Sequence, residues 1–174
     1  MRWSLHEFHS IGPNMYSSLN VHNRLQELDV PHELFKLSGH AANLETAGAA
    51  LGLEPAQLAK VLLFRADGEP VMVIVPGGLC IDTDKLKKVA AAGEVVEVPD
   101  DEVPSLTGYL ASAMPPVGHK VELPAYIDYY TLREDVVYTG SGELTAILKI
   151  RSYDLVRATG GETVDIVEPP LEEQ

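Results

Sequence analysis

The sequence predicts a mixed α+β domain. Three observations carry that reading: many short apolar runs, turn signals that join neighbouring runs into hairpins, and a few helical stretches with capping residues at their starts. Ser17 or Ser18 caps a helix in which Val21, Leu25 and Leu28 recur at helical spacing, and Pro31 breaks it. His32 to Lys36 alternates as a strand does. Asn43 caps a short alanine-rich helix ended by Gly52, and Pro55 suits the first turn of another. Lys60 to Phe64 is an apolar strand that runs into Ala66-Asp67-Gly68, a hairpin signal, and Val71 to Val75 returns as its partner. Neither strand alternates cleanly, so both are expected to be covered on both faces.

Further along, Asp82, Thr83 or Asp84 caps a helix through Ala92 that Gly93 closes. Val95 to Val98 reads as a strand, Pro99-Asp100-Asp101 opens a short acidic turn or helix, and Thr107 to Gly118 reads as loop. Tyr126 to Asp128 and Val136 to Thr139 are short strands. Gly140-Ser141-Gly142 turns the chain into a strand from Leu144 to Ile150. Ser152 caps a last helix ended by Gly160-Gly161, and Val164 to Val167 adds an edge strand. Residues 1–16 read as a loosely ordered lead-in, 17–167 as one folded domain and 168–174 as an acidic tail; no internal repeat or low-complexity linker divides them.

Composition bounds the function classes. A chain of 174 residues, 45% hydrophobic and 22% charged, suits one domain with a sizeable core. Cys80 is the only cysteine, which excludes an internal disulfide and a cysteine-only zinc site, and the reducing cytoplasm is the expected compartment. The longest apolar run, Val71 to Val75, stops at Pro76, and the N-terminal residues lack a continuous apolar segment. Neither a membrane partner nor a secretory signal is expected. The 13 Lys+Arg against 26 Asp+Glu leave a net charge of −13, which repels polyphosphate at long range. No DNA partner is expected, and any RNA contact must be local or delivered by a partner.

No Walker loop, dinucleotide fingerprint or G-x-S-x-G elbow is present; Pro76-Gly77-Gly78 lacks the Lys-Ser/Thr that a P-loop needs. His6 and His9 share one helical face, yet two histidines in a lead-in more often do nothing. Lys60 stands where a polar helix end meets the apolar run Val61-Leu62-Leu63-Phe64. It is either a strand-end lysine reaching water or a cation aimed from a rigid strand into a pocket, where it would stabilise developing negative charge. The segment TGYLASAMPPVG, Thr107 to Gly118, is either a surface turn or a stiff loop whose free amides face a ligand.

Four segments in order, LGLEPAQLAKVLLFR, VMVIVPGG, TGYLASAMPPVGHKVELPAYID and VVYTGSGELTAILKI, resemble the YbaK and prolyl-tRNA-synthetase-associated editing family, over roughly residues 20 to 160. The resemblance implies a mixed, barrel-like sheet with covering helices and a pocket for the aminoacylated 3′ end of tRNA. It implies hydrolysis of wrongly charged tRNA of the tRNA-Pro type, with prolyl-tRNA synthetase as the partner to test. Lys60 falls on the family lysine and is the expected catalytic cation. The substrate loop falls on Gly108 to Gly118. Thr107, Gly108, Tyr109, Ser112, Ala113, Pro116, Gly118, His119 and Asp128 are the expected substrate-binding positions, with the later turn Gly140, Ser141 and Gly142. Members commonly carry a glycine pair where this chain has Ser112-Ala113. Ordinary backbone angles are expected there, with both Cβ atoms on the pocket wall.

An aminoacyl ester is already activated, so water, oriented donors and one cation suffice, and no metal or organic cofactor is expected. Two other readings stand beside this one. Ser112 as nucleophile, His119 as base and Asp128 as orienter would make a different hydrolase. A chain that keeps the pocket but has lost turnover would be a binding module for the aminoacyl-tRNA 3′ end.

Overall fold

The computed structural model describes residues 15–173. Strands β1 (His32–Lys36), β2 (Leu58–Ala66), β3 (Glu69–Pro76), β4 (Val95–Glu97), β5 (Ala125–Asp128), β6 (Val136–Gly140), β7 (Ala146–Arg151) and β8 (Glu162–Val164) form one mixed sheet. Helices α1 (Ser18–Glu27), α2 (Leu44–Ala50), α3 (Thr83–Val89), α4 (Val103–Thr107) and α5 (Ser152–Thr159) accompany it. The strand order is β1-β7-β6-β2-β3-β5-β8, with β4 also on β2. The mixed sheet with covering helices is as expected; among the described residues β1 and β8 do not pair with each other, so the sheet is not a closed barrel.

The sequence's turn chemistry accounts for the centre of this sheet. Asp67 and Gly68 take left-handed φ of 48° and 86°, which is what a two-residue hairpin of matching twist requires. They fold β3 back on β2 in register from Ala59↔Pro76 to Ala66↔Glu69. Asp67 also accepts from the amides of Gly93 and Glu94, tying the hairpin tip to the start of β4. Along β3 the side chains alternate between two cores: Met72 and Ile74 join Val61, Leu63 and Leu148, while Val73 and Val75 join Phe64, Leu86 and Val167. This is the two-sided covering the apolar runs predict. Each such buried side chain contributes about 1.5–3 kcal/mol, against about 1 kcal/mol for a ladder hydrogen bond, so side-chain burial chiefly holds the central strands.

The outer edge of β2 is shared between two partners. Leu58 and Ala59 pair in parallel with Tyr138 and Thr139 of β6, while Phe64, Arg65 and Ala66 pair antiparallel with β4. Val98 N–H closes the gap as far as Leu63 O, at 2.9 Å. Lys60, Val61 and Leu62 lie between the two partners, where the sheet splits. Because Leu58 O accepts from Gly77 on the β3 side, alternation turns the backbone groups of Val61 toward the split.

Several local expectations are corrected. Ser17 caps α1 with a reciprocal Asn20 contact, and Asn43 caps α2, as read from the sequence. Pro55 opens only a 3-10 turn, Pro55–Gln57. Helix α3 stops at Val89 rather than Ala92, because Ala91 takes a left-handed φ of 51°. Ser152 is not the cap of α5: Arg151 holds that position, and the Ser152 amide donates to Asp135 O at 3.0 Å. Strand β7 begins at Ala146 rather than Leu144, and β8 ends at Val164; beyond it Ile166 N–H donates to Asp128 and Val167 bridges Ile81. In the acidic tail Glu173 pairs with Arg133 at 2.9 Å and contacts the Tyr130 hydroxyl. The expectations for residues 1–14, including His6 and His9, lie outside the described residues.

Candidate active site

The split in the sheet opens into a cleft of about 410 Å³. Lys60 and Val61 of β2 line one wall, Asn43, Leu44 and Glu45 at the start of α2 a second, and Ser112, Met114 and Gly140 a third. Glu97 and Asp100 complete its acidic side. Lys60 is the one cation among the described lining residues; its side chain is 25% exposed, and its Nζ stands 3.8 Å from Glu45 Oε1. Lys60 is thus a strand lysine, three-quarters covered, that stands at the sheet split and lines the cleft beside Glu45.

The Ser112 wall is held by backbone contacts. Ala111–Ala113 form one 3-10 turn, and Ala113 O accepts from Gly142 N–H at 2.8 Å. Gly140, at the end of β6, lies so close to this turn that an added Cβ would stand 2.1 Å from Met114 O. Gly142, at φ 92°, faces the Tyr109 ring, 2.7 Å from where a Cβ would sit. Among the described residues the non-glycine positions with positive φ are Asp29, Asp67 and Ala91, so Ser112 and Ala113 take ordinary angles as expected. Only Ser112 lines the cleft. Ala113 is 4% exposed and lines a void of about 20 Å³ behind it, which Ser112 and Gly140 also border.

The other expected binding positions do not gather on this cleft. Thr107 is buried, donating to Val103 O at 2.9 Å and accepting from Tyr109 N–H at 3.1 Å. Gly108 ends α4 at φ 90° and accepts from Tyr16 N–H. Tyr109 is fully buried and donates to Gly118 O at 2.8 Å; burial, then the neighbouring Tyr16, pushes its phenol far up. Ser141 Oγ bonds Ala146 O at 2.7 Å inside the turn after β6. These groups brace the loop from behind.

Pro116, Gly118 and His119 line a different and larger cavity, about 710 Å³, beside α1. Volume does not decide between the two cavities. The smaller one joins a covered strand cation to a backbone-pinned loop, whereas the cations of the larger one are Arg24, paired with Glu27 at 3.1 Å, and Lys120, which follows the loop rather than standing on a strand.

The Ser112-His119-Asp128 arrangement is not assembled. His119 Nε2 lies 2.7 Å from Pro115 O, and a carbonyl can only accept, so that nitrogen carries the proton and donates. Burial lowers the His119 pKa, with the Pro115 contact opposing. Asp128 accepts from Tyr130 N–H at 2.9 Å and Ile166 N–H at 2.8 Å and lines a third cavity; burial raises its pKa against those two bonds. Each member therefore serves a separate part of the fold. Glu45, Glu97 and Asp100 were not singled out from the sequence, since only the sheet split brings them to Lys60. No group of three metal-ligating side chains occurs among the described residues.

Comparison with known proteins places the chain in a family. Residues 38–158 match the profile of the aminoacyl-tRNA editing domain. An Enterococcus faecalis protein provisionally named Cys-tRNA(Pro)/Cys-tRNA(Cys) deacylase EbsC is 21% identical over 150 residues, 84% of this chain and 92% of that protein. A proline–tRNA ligase of Maridesulfovibrio salexigens is 36% identical over 72 residues, 41% of this chain but only 12% of the ligase. A solved structure described as a provisional trans-editing enzyme for prolyl tRNA synthetase superposes with a TM-score of 0.79 at 25% identity, covering 87% of this chain and 97% of that one. The match spans Lys60, the Ser112 turn and Gly140 together, and the chain belongs to the aminoacyl-tRNA editing domain family.

Proposed function

We propose that the chain hydrolyses the ester of mischarged aminoacyl-tRNA, acting in trans in the cytoplasm on a tRNA-Pro type substrate, with prolyl-tRNA synthetase as the partner that delivers it. The observation that carries this reading is a covered strand lysine in the cleft of an editing-family domain, which shares that cleft with a backbone-pinned loop. The Lys60 ammonium faces the ester carbonyl oxygen, where negative charge grows as water adds to the carbonyl carbon. The bond from that carbon to the ribose oxygen then breaks, and the proton lost by water goes to the departing oxygen. One water is consumed, and the products are free amino acid and tRNA with its terminal hydroxyl restored. Delivery by a partner fits the net charge of −13, which opposes capture of free tRNA at long range.

The test is a deacylation screen over a panel of mischarged tRNAs, with and without prolyl-tRNA synthetase. Hydrolysis of at least one mischarged species, with the cognate charge spared, is the expected result. A panel at the buffer rate throughout overturns the enzyme reading, and tight binding of an uncleavable aminoacyl-adenosine in that case identifies a binding module.

Within the same screen, Ser112 and Ala113 separate. Ser112→Gly removes a side chain from the cleft wall and is expected to reorder the preferred amino acids. Ala113→Gly removes a buried methyl and adds backbone freedom, so it is expected to lower stability by about 1 kcal/mol, read as a fall of about 2–4 °C in Tm. An unchanged ranking in Ser112→Gly removes that residue from the specificity wall.

A further inference from the structure

We propose that Glu45 reads the free α-ammonium of the aminoacyl group, so that the cleft takes aminoacyl esters and discriminates against N-acylated ones. This rests on the hydrolase reading above. The substrate's α-nitrogen is only one carbon away from the ester carbonyl, about 3 Å from its oxygen by ordinary covalent geometry. A carbonyl oxygen held by Lys60 therefore brings a second cation close to the Lys60 ammonium. Two like charges about 4 Å apart repel by about 1 kcal/mol in water and about 4 kcal/mol near a protein surface, so a site built on a lysine needs a carboxylate between them.

Glu45 is the carboxylate beside Lys60 that can fill this role. Its Oε1 is 3.8 Å from Lys60 Nζ, and it lines the same cleft. Glu97 and Asp100 also line the cleft, but among the described residues Glu45 is the carboxylate within ion-pair distance of Lys60. Its position is set by α2: the Asn43 side chain accepts from Thr46 N–H at 2.8 Å and fixes the first turn, from which Glu45 projects. The Glu45 side chain is 49% exposed, so it stays hydrated and free to swing between the two ammonium groups. N-acylation removes the charge and adds bulk at that point. The chain would then act on esters with a free amine and leave formylated or peptidyl esters intact.

The experiment compares hydrolysis of the best substrate from the panel with hydrolysis of its N-acetylated form, for wild type, Glu45→Gln and Glu45→Asp. Wild type is expected to favour the free amine by about 10-fold or more, the size of a charge-assisted contact. Glu45→Gln should bring that ratio close to unity, mainly through a higher KM for the free-amine substrate, and Glu45→Asp should restore much of it. A wild-type ratio near one overturns the proposal. So does an equal loss on both substrates in Glu45→Gln, which would make Glu45 only a holder of Lys60. If wild type hydrolyses neither form, the hydrolase reading itself fails. Calorimetric binding of uncleavable aminoacyl-adenosine and its N-acetyl form then tests Glu45 alone: the same dependence of the affinity ratio on Glu45 is expected, and equal affinities for the two forms overturn it.

Discussion

Lys60→Ala is expected to lower turnover on every charged tRNA the protein hydrolyses by about 10²- to 10³-fold, the usual loss when one donor to developing oxyanion charge is removed. The stability cost should be small. Among the described residues Lys60 is paired with the half-exposed Glu45 alone, and such pairs contribute about 0–1 kcal/mol, so Tm should move by no more than about 4 °C. Removing the lysine leaves the Glu45 carboxylate in water, so no buried charge is orphaned. The β2 backbone at this position also keeps its pairing with Val75. Rate and stability thus separate, which a lysine serving only as a strand-end cover would not do. Deacylation kinetics and a thermal melt on one preparation check this. Lys60→Arg keeps the charge but replaces a compact ammonium by a planar fork, and it should recover only part of the rate. A normal rate in Lys60→Ala would return Lys60 to a covering role.

How far this site was legible can be argued from individual residues. Lys60 stood out because a charge heads an apolar run, and the hairpin around Asp67-Gly68 was legible because few residues satisfy its backbone angles. The strands of the central hairpin follow from apolar runs long enough to fill both cores. What linear patterning did not reveal is the division of the β2 edge between β6 and β4. That split is a matter of long-range pairing, and the cleft it leaves is where the start of α2 meets the lysine. Glu45 accordingly reads in the sequence as nothing more than an acid in a helix's first turn. The loop from Thr107 to Gly118 was read as one binding surface, yet its side chains divide: Ser112 faces the cleft, Thr107 and Tyr109 are buried braces, and Pro116, Gly118 and His119 face another cavity. Spacing in a loop without regular structure carries no information on which way each residue points. Ser152 shows the same limit at a helix start: Arg151 holds the cap position, while the Ser152 N–H and Oγ both donate to Asp135 O, at 3.0 and 3.4 Å.

Gly140→Ala is expected to be the most damaging single methyl addition at the site. Gly140 was read from the sequence as part of a turn, with its neighbours Ser141 and Gly142, but it is the last residue of β6 and pairs with Ile147. Its requirement is space. A Cβ there would stand 2.1 Å from Met114 O and 2.9 Å from Ala113 O, and both are backbone atoms that cannot rotate away. Either β6 or the Ala111–Ala113 turn must move. The turn is tied to the same segment by the 2.8 Å bond from Gly142 N–H to Ala113 O, so shifting it also strains that contact. Overpacking of a tight contact costs about 1–3 kcal/mol, and a clash with two fixed carbonyls belongs at the upper end, a fall of about 6–12 °C in Tm. Activity should fall further than stability alone explains, because Ser112 and Gly140 line the same cleft as Lys60 and a displaced turn changes its width. Gly39→Ala is the matched control: a Cβ there meets nothing within 4 Å, and both Tm and rate should stay at the wild-type values. Thermal melts of the two variants, with deacylation measured well below the lower Tm, separate unfolding from distortion of the cleft. A Gly140→Ala protein with wild-type Tm and wild-type rate would mean that the turn is free to move, and that the loop does not hold the cleft in shape.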